Sequence, residues 1–473
     1  MCLLRGSVGT LIVEEGVRME LCGKTILVVG AAKSGVAAAL FLAKHGSKVY
    51  INELKPREQL EQESVSRLEA AGVTLLCGQH VEIDDLQPQL VIPSPGVPLN
   101  IPSIERAREL NIAVWSEMEL ASRYTEVPMI VITGTNGKTT TTALVGQIMQ
   151  DAGKRTFIGG NIGVPFISEA ESLTVDDVAV LEASSFQLEP TVAFKPKVAL
   201  ILNITPDHLD RHGSMAGYIE AKVRVLLNQD EHDYLILNWD DEEARKLAGR
   251  AKAKVIFFSR KHKLEEGFLV IDGQLTALFA GKYVPIIPVN DIFIKGGHNL
   301  ENALAAVAAG WVMKVSTSSL AHSLSTFPGV EHRLESVATI KGVEYINDSK
   351  GTNPDASIKA LEAYDRPIIL IAGGKSKGSD FVPFAKLIKE KAKALILVGQ
   401  AVPEIEAAVQ KVGYVNYRIV QTFKDAVVEA GKLATSGDIV LLSPACASYD
   451  LFDNYEQRGR VFKDLVRELE TQG

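Results

Sequence analysis

Short apolar runs alternate with amphipathic stretches along most of the chain. Near its beginning, Thr25–Val29 has the pattern of a buried strand, Gly30–Gly35 that of a glycine turn, and Val36–Lys44 that of a helix. Strands that alternate with helices in this way predict a parallel sheet covered by crossover helices. Two more strands are predicted in the same region: Lys48–Asn52 and Leu90–Ile92.

The same alternation recurs in two later parts of the chain. Met129–Thr133 is a run rich in β-branched residues, and a glycine turn and the helix Thr139–Met149 follow it. Polar residues follow several of the later strands, at the edge where open α/β sheets bind their ligands. The other predicted elements are the strands Val178–Glu182, Val198–Asn203, Val343–Asn347, Ile368–Ala372, Ala394–Val398 and Asp438–Leu442 and the helix Asn299–Gly310.

The length of 473 residues is too great for one ordinary hydrophobic core. We therefore predict an α/β protein with three domains in series. They are an N-terminal Rossmann-like parallel sheet in residues 19–123, a central phosphate-loop ATPase-like domain in residues 124–326, and a C-terminal Rossmann-like α/β domain in residues 327–473. Residues 1–18 are predicted to be a non-native extension, with Met19 as the natural start.

Composition narrows the classes of partner. A net charge of −8 argues against nucleic acid, whose binding proteins carry a basic excess. No apolar run approaches the roughly 18 residues that a membrane-spanning helix needs, so no membrane partner is expected. The four cysteines form no C-x-x-C pair, which argues against a zinc site.

The strongest local signal is the glycine-bearing loop between the strand Met129–Thr133 and the helix that follows. Its glycines let backbone N–H groups approach phosphate oxygens, Lys138 would neutralise the β- and γ-phosphates, and the Thr139 hydroxyl would hold Mg²⁺. The loop departs from the general phosphate-loop pattern because Ile132 occupies the position of its first glycine. An ordinary glycine turn is the alternative interpretation. The predicted ATP-binding residues of the loop are Gly134, Thr135, Asn136, Gly137, Lys138, Thr139 and Thr140.

The first glycine turn, Gly30–Gly35, is a weaker signal. A dinucleotide-binding fingerprint requires a glycine where Ala32 stands, although Glu53 lies near the expected ribose-binding offset. A purely structural turn is an equally good interpretation. A Rossmann oxidoreductase is accordingly one rival function, and a phosphate-loop switch protein is another.

Three later segments offer polar chemistry. Glu182 ends a predicted strand, where its carboxylate suits a hard cation. The segment Asn203–His212 packs two acids, two histidines and an arginine after another strand. Any one of these residues is more often a surface charge, whereas the cluster indicates a site. Lys222 lies on an amphipathic helix, where a solvated lysine is the default.

These blocks together resemble the Mur ligases, which make amide bonds through an acyl-phosphate, and the resemblance covers nearly the whole chain from Met19. The C-terminal run Leu441–Gly459 and the segment Leu181–Glu189 are similar to those of family members that add D-glutamate. Tyr455 stands where a phenylalanine is also found, and Gly373–Gly378 lacks an acid seen in many relatives. The other matching blocks are Thr133–Thr140, Asn203–Arg211, Gly297–Asn302, His332-Arg333 and Asn347–Asn353.

The resemblance implies a role for each matching residue. Lys138, His208 and Lys222 are the implied catalytic residues. Further ATP contacts are implied for Asn299, Asn302, Arg333 and Asp348. The implied UDP-substrate contacts are Glu53, Ser94, Gly96, Asn161 and His208. The implied D-glutamate contacts are Lys350, Thr352, Lys377, Ser448 and Tyr455. The implied metal ligands are Thr139, Glu182, His208 and Lys222, the last as a carbamate.

The resemblance further implies ATP and two Mg²⁺ ions as cofactors, and UDP-N-acetylmuramoyl-L-alanine and D-glutamate as substrates. The N-terminal domain would bind the UDP-substrate, the central domain ATP, and the C-terminal domain the amino acid. We expect a cytoplasmic monomer. The nearest alternatives are a sister ligase of the same pathway and a folylpolyglutamate synthase, from which the C-terminal run separates this chain.

Overall fold

The structure, a computed structural model, describes residues 20–376 and 378–472. The predicted extension at residues 1–18 and the predicted ligand Lys377 therefore lie outside the described residues. Two compact units are distinguished: one runs up to Val289 and includes Asn302–Leu324, and the other comprises Asn290–Glu301 and the chain from Ser325 onward. Within the described residues, no helix has the length and apolar character that crossing a membrane requires.

The first sheet of the larger unit consists of five parallel strands in the order β3-β2-β1-β4-β5. The order reverses direction at β1, so the loops after β1 and β4 flank the crevice where such sheets bind ligands. Its strands are β1 (Thr25–Val29), β2 (Lys48–Glu53), β3 (Thr74–Cys77), β4 (Leu90–Pro93) and β5 (Ala113–Val114). Its helices are α1 (Lys33–Lys44), α2 (Gln62–Ala70), α3 (Ile83–Leu86), α4 (Pro102–Glu109) and α5 (Glu117–Ser122).

Helix α1 begins three residues earlier than the glycine pattern predicts. The N–H of Val36 donates to the carbonyl of Ala32 at 2.9 Å, so the helix starts directly after a short turn at Gly30. Gly35 is thus a helical residue rather than part of the turn. A Cβ atom at Gly35 would lie 2.0 Å from the Gly30 carbonyl oxygen, which explains why glycine is needed there.

The second sheet has nine strands in the order β14-β13-β12-β11-β10-β9-β6-β8-β7. Strands β6 to β12 pair in parallel, and β12 to β14 form an antiparallel meander. Its strands are β6 (Met129–Thr133), β7 (Thr156–Gly160), β8 (Val178–Glu182), β9 (Val198–Ile201), β10 (Tyr234–Asn238), β11 (Lys254–Ser259), β12 (Gly267–Ile271), β13 (Gln274–Phe279) and β14 (Lys282–Pro288). The helices that follow in the chain are α6 (Lys138–Asp151), α7 (Ser185–Leu188), α8 (Leu209–His212), α9 (Met215–Val223), α10 (Glu242–Lys246), α11 (Gly297–Val312) and α12 (Thr317–Thr326).

Strand β9 ends two residues before the predicted boundary at Asn203. The Leu202 N–H still bonds to the Thr133 carbonyl, but the Asn203 side chain turns toward the loop after β6. Asn203 therefore lies outside the strand, because its side-chain amide forms hydrogen bonds with the neighbouring loop.

Helix α5 connects the first sheet to the second and is anchored by buried carboxyl groups. The Glu119 carboxylate accepts hydrogen bonds from the N–H groups of Val192, Ala193 and Phe194, at 2.9 to 3.1 Å. Glu117 accepts from the Ile167 N–H at 2.6 Å. These contacts fix the first sheet against loops of the second, so the two sheets share one hydrophobic core.

The smaller unit contains a six-stranded sheet in the order β15-β16-β20-β17-β18-β19, in which all pairs except β15 with β16 are parallel. The loops after β16, β20 and β17 therefore meet at one edge. The strands are β15 (Glu335–Ile340), β16 (Val343–Asn347), β17 (Ile368–Ala372), β18 (Ala392–Leu397), β19 (Tyr417–Ile419) and β20 (Ile439–Leu442). The helices are α13 (Pro354–Glu362), α14 (Val382–Lys391), α15 (Val402–Lys411), α16 (Phe423–Leu433) and α17 (Tyr455–Gln472).

Candidate active site

The loop between β6 and α6 has the backbone that a phosphate-binding loop requires. Gly134 and Gly137 adopt φ angles of 147° and 87°, which side chains rarely tolerate. A Cβ at Gly137 would also lie 2.4 Å from the Asn302 Oδ1 atom. Gly137 caps the N-terminus of the 14-residue helix α6, where the helix dipole favours an anion.

Asn203 holds this loop from the neighbouring strand. Its Oδ1 atom accepts from the N–H groups of Thr135 and Asn136, at 3.1 and 2.8 Å, and its Nδ2 atom donates to the Asn136 carbonyl at 3.0 Å. Asn302 contacts helix α6 in a similar way: its Oδ1 atom accepts a hydrogen bond from the Thr141 hydroxyl at 3.2 Å. Asn302, which was predicted to contact ATP, thus lies beside the loop and α6.

Two lysines converge on the loop. Lys138 Nζ donates to the carbonyls of Gly134 and Thr135, at 2.9 and 2.8 Å, and Lys222 Nζ donates to Gly134 at 2.9 Å. Lys222 is only 1% exposed, so the default of a solvated lysine is wrong here. Burial, followed by the nearby charge of Lys138, lowers the pKa of Lys222 well below its ordinary value. A neutral amine at this position is the form that reacts with carbon dioxide to give a carbamate.

Tyr218 supports both the loop and the buried lysine. It lies one turn before Lys222 on α9, and its ring centroid is 4.5 Å from the Lys222 Nζ atom. Its hydroxyl lies 3.2 Å from the Thr135 Oγ1 atom, and burial raises its pKa to about 12. The uncharged ring therefore packs against the lysine, and the hydroxyl contacts the loop.

Glu182 ends β8 beside β6 and is the strongest candidate ligand for a cation. The residue is 2% exposed, and its Oε1 atom accepts from Asn161 Nδ2 at 2.8 Å. Its Oε2 atom is buried and has no hydrogen-bond partner within the part of the chain that the structure describes. A buried, unpartnered carboxylate oxygen at the edge that bears the phosphate loop fits a hard cation.

The described residues contain no group of three or more His, Cys, Asp and Glu side chains placed to bind a metal on their own. The predicted ligand set is of a different kind, because it combines a threonine hydroxyl, one carboxylate, one histidine and a modified lysine. Thr139 is 7% exposed in the first turn of α6, and Glu182 follows the adjacent strand. The residues present therefore fit Mg²⁺ that is shared with nucleotide oxygens.

His208 begins the short helix α8 in a left-handed conformation, with a φ angle of 52°. Its ring lies edge-on to Phe186, at a centroid distance of 5.0 Å, and its side chain is about half exposed at 47%. Phe186 also stacks on His212, at 5.2 Å. His208 is thus an accessible imidazole beside α7, the short helix that follows β8.

The predicted UDP-substrate residues of the first sheet line its crevice. Ser94 Oγ donates to the Gly30 carbonyl at 2.8 Å, and Glu53 Oε2 accepts from the Ala31 N–H at 3.0 Å. Both side chains therefore shape the turn after β1. Gly96 is exposed, and apart from its two chain neighbours none of the described residues comes within 4 Å of the place that a Cβ would occupy, so the loop after β4 has open space there.

In the smaller unit, Asp348 is buried at the end of β16. Its carboxylate accepts from the Ser443 hydroxyl at 2.7 Å and from the Leu334 N–H at 3.3 Å. Burial raises its pKa to about 6, although Ser443 and the charge of Arg333 act in the opposite direction. Asn299, also in this unit, is 7% exposed and donates to the Lys295 carbonyl at 2.9 Å.

Apart from Lys377, which lies outside the described residues, the predicted D-glutamate residues lie on the loops after β16 and β20 and at the start of α17. Lys350 Nζ lies 5.5 Å from the centroid of the Tyr455 ring. Ser448 is 2% exposed, and the Thr352 N–H bonds to the Lys350 carbonyl at 2.9 Å. The structure thus brings Lys350 and Tyr455 together and places Ser448 on the neighbouring loop.

Arg458 is a structural residue of this region for which no role was predicted. It is 3% exposed and donates to Ser349 through Nε and Nη2, at 2.9 and 2.7 Å, and to the Cys446 carbonyl at 3.2 Å. The two loops are therefore fixed to α17. Tyr218 was missed in the same way, although its spacing of four residues from Lys222 on one helix was a usable signal.

Three family profiles match the chain. A Mur ligase MurD-like N-terminal domain matches residues 24–116, a Mur ligase middle domain matches residues 132–310, and a Mur ligase glutamate ligase domain matches residues 332–446. The matches fall in the same order as the three sheets.

Curated relatives align over nearly the whole chain. The UDP-N-acetylmuramoylalanine–D-glutamate ligase of Pelotomaculum thermopropionicum is 49% identical over 94% of this chain and 98% of its own length. The enzyme of the same name from Koribacter versatilis is 47% identical over 96% of this chain and 99% of its own length.

Solved structures agree at the level of the fold. The UDP-N-acetylmuramate–alanine ligase MurC of Thermotoga maritima aligns with a TM-score of 0.58 at 21% identity, covering 94% of this chain and 99% of that one. MurF of the same organism, solved in complex with ADP, aligns with a TM-score of 0.59 at 15% identity, covering 90% of this chain and 97% of that one. With profiles and full-length relatives in agreement, the chain belongs to the Mur ligase family.

Proposed function

We propose that the protein joins D-glutamate to UDP-N-acetylmuramoyl-L-alanine with ATP, giving ADP and phosphate, as a step of peptidoglycan precursor synthesis. The observation that carries the proposal is the alignment, over nearly the full chain, with relatives named for this reaction. The geometry of the larger unit supports it, since a phosphate loop, a buried carboxylate and two lysines meet at one sheet edge.

The reaction must make a carboxylate reactive toward an amine. Hydroxide is a poor leaving group, so the substrate carboxylate attacks the γ-phosphate of ATP, ADP leaves, and the carboxylate becomes an acyl-phosphate. The attacking carboxylate and the phosphates repel each other, and the Lys138 ammonium at the N-terminus of α6 offsets that repulsion. The neutral amine of D-glutamate then attacks the acyl carbon, and the tetrahedral intermediate collapses to the amide with loss of phosphate.

Thr139 and Glu182 would hold one Mg²⁺, and His208 and a carbamate of Lys222 would hold a second. Bound there, magnesium would supply positive charge against the phosphate oxygens. The protein contributes the arrangement of the ligands: β8 fixes the Glu182 carboxylate, and Tyr218 and the Gly134 carbonyl hold the Lys222 amine. Isotopically labelled bicarbonate, followed by NMR, would detect the carbamate directly.

The three domains at residues 19–123, 124–326 and 327–473 would then bind the UDP-substrate, ATP and D-glutamate. In the first, Glu53, Ser94 and Gly96 would follow the UDP-sugar, and Asn161 of the second would join them. In the third, Lys350 offers a cation for the D-glutamate carboxylates, and Thr352, Ser448 and Tyr455 shape the pocket. We also propose that the enzyme acts as a monomer in the cytoplasm, where ATP is supplied.

The test is phosphate release from ATP in the presence of UDP-N-acetylmuramoyl-L-alanine, with D-glutamate, L-glutamate, L-alanine or a diamino acid supplied in turn. Release that depends on D-glutamate, together with a product heavier by one glutamate, would support the proposal. Release with another amino acid would move the enzyme to a sister step. Release with a folate substrate in place of the UDP-sugar would indicate a folylpolyglutamate synthase.

The contribution of Lys350 can be tested in the same assay. Lys350→Met is expected to raise the KM for D-glutamate about tenfold or more at an unchanged KM for ATP, because a charged contact to a carboxylate is lost. Lys359→Met is the matched control, since Lys359 is a lysine of the same sheet unit that pairs with Glu362 on an exposed face. An unchanged KM for D-glutamate in Lys350→Met would contradict the assignment.

A further inference from the structure

Arg211 joins the two sheets of the larger unit at the candidate site. It lies on α8, after β9, and its guanidinium donates to two consecutive carbonyl groups of the loop after β4. Nη1 lies 3.4 Å from the Gly96 oxygen, and Nη2 donates to the Val97 oxygen. The planar guanidinium presents its donors as a fork, so one side chain can fix two neighbouring peptide groups.

The same guanidinium stacks on an aromatic ring that the site histidine also contacts. Its Cζ atom lies 4.9 Å from the centroid of Phe186, and that ring lies 5.0 Å from the ring of His208. Phe186 follows Glu182 by four residues and lies in α7, the short helix after β8. A single phenylalanine ring therefore connects the arginine that holds the β4 loop with the histidine and with the strand that bears the buried carboxylate.

The β4 loop is held on its other side by the turn after β1. Ser94 donates to the Gly30 carbonyl, and a Cβ at Gly30 would lie 2.9 Å from the Val97 side chain. Without Arg211, the loop would keep this anchor and lose the two hydrogen bonds that come from α8. The exposed Gly96 lies between the two anchors, so the arginine decides how that residue is presented to a ligand.

We propose that Arg211 is a positioning residue for the UDP-substrate, which makes the arrangement of the β4 loop and that of His208 interdependent through Phe186. This inference rests on the proposed function, because it assumes that the UDP-sugar lies along the β4 loop. Arg211 acts on the substrate through the loop carbonyls and requires no contact of its own with the reacting atoms.

The experiment measures the Kd of UDP-N-acetylmuramoyl-L-alanine by titration calorimetry, without ATP, and then the KM of each substrate by phosphate release. Arg211→Ala is expected to raise the Kd about tenfold or more, with the KM for ATP unchanged. Arg211→Lys, which keeps the charge but lacks the planar fork, should fall between it and the wild type. A rise in the KM for ATP equal to that for the UDP-substrate would indicate general disruption and overturn the proposal.

Arg245→Ala is the matched control. Arg245 donates to the Trp239 carbonyl at 2.9 Å and lies 5.3 Å from the Trp239 ring, so it combines the same two interactions elsewhere in the unit. The Kd of Arg245→Ala for the UDP-substrate should stay within about twofold of the wild-type value. If Arg211→Ala binds the UDP-substrate as Arg245→Ala does, the proposal is wrong.

The coupling is tested by combining Arg211→Ala with Phe186→Leu. Because both changes break one connection, the double variant should bind no more than about twofold more weakly than Arg211→Ala alone. Effects that multiply would overturn the coupling. Tight UDP-substrate binding without any D-glutamate-dependent turnover in the wild type would refute the proposed function and leave the role of Arg211 standing, whereas loss of both would refute both.

Discussion

Glu117 is a buried carboxyl group at the start of α5, and its charge is poorly compensated. One oxygen accepts the Ile167 N–H at 2.6 Å, and Oε2 has no hydrogen-bond partner among residues 20–376 and 378–472. Burial raises its pKa from an ordinary value of 4.5 to about 7. We predict that Glu117→Gln, which resembles the protonated acid in shape and hydrogen bonding, changes the pH dependence of stability.

The sign follows from proton linkage. Below pH 4.5 the carboxyl group is protonated in both the folded and the unfolded chain. Between that value and about pH 7 the unfolded chain ionises while the folded protein keeps its proton, so stability falls as the pH rises. The whole difference is worth roughly 3 kcal/mol, since one pKa unit corresponds to about 1.4 kcal/mol. Glutamine does not titrate, so the variant lacks this loss.

The assay is urea unfolding of the wild type and of Glu117→Gln at several pH values between about 5 and 8. The free energy of unfolding of the variant minus that of the wild type should grow with pH and level off above about 7. Glu126→Gln is the control, because Glu126 is exposed, and its curve should run parallel to that of the wild type. A difference for Glu117→Gln that stays constant with pH would refute the reasoning.

Three further predictions concern the loop between β6 and α6 and the smaller unit. Lys138→Ala should lower phosphate release about 10²–10³-fold with little change in the thermal midpoint, because one electrostatic contact to the reacting phosphate is lost. Gly137→Ala should weaken binding of a non-hydrolysable ATP analogue at least about tenfold more than Gly153→Ala, since both positions have positive φ but only Gly137 would direct a Cβ against Asn302, at 2.4 Å. Arg458→Met should destabilise the smaller unit by about 3 kcal/mol or more, measured by calorimetry, because it removes three hydrogen bonds from a charged donor to buried acceptors.

Each of these predictions has a result that would contradict it. Wild-type turnover in Lys138→Ala would show that Lys138 does not take part in the reaction. Equal analogue affinities in the two glycine variants would mean that the close contact is relieved without cost. An unchanged melting transition in Arg458→Met would show that the loops after β16 and β20 are held by other contacts.

Local patterns predicted most of the elements because they depend on neighbouring residues. Val178–Glu182 and Met129–Thr133 were predicted with their observed bounds, since each is a short apolar run that ends at a polar residue or turn. The boundaries that failed depend on distant groups. Helix α1 starts early because Gly35 packs on Gly30 and Ser94, and β9 ends early because Asn203 turns to a loop 67 residues away.

The same limit applies to the candidate site. The phosphate loop was predictable because its glycines, lysine and threonine are contiguous. The burial of Lys222 was not, because the carbonyl that it contacts lies 88 residues earlier in the chain. Arg211 reaches a loop 114 residues before it, and no pattern within either segment indicates the other.

The contact between Asn203 and the phosphate loop has a consequence for how nucleotide binds. The Oδ1 atom of Asn203 accepts hydrogen bonds from the N–H groups of Thr135 and Asn136, so the protein itself fixes the backbone of the loop. The loop is therefore preorganised, and a phosphate that enters does not have to order it, so little conformational entropy is lost on binding. Asn203 would thereby raise the affinity for ATP without touching it.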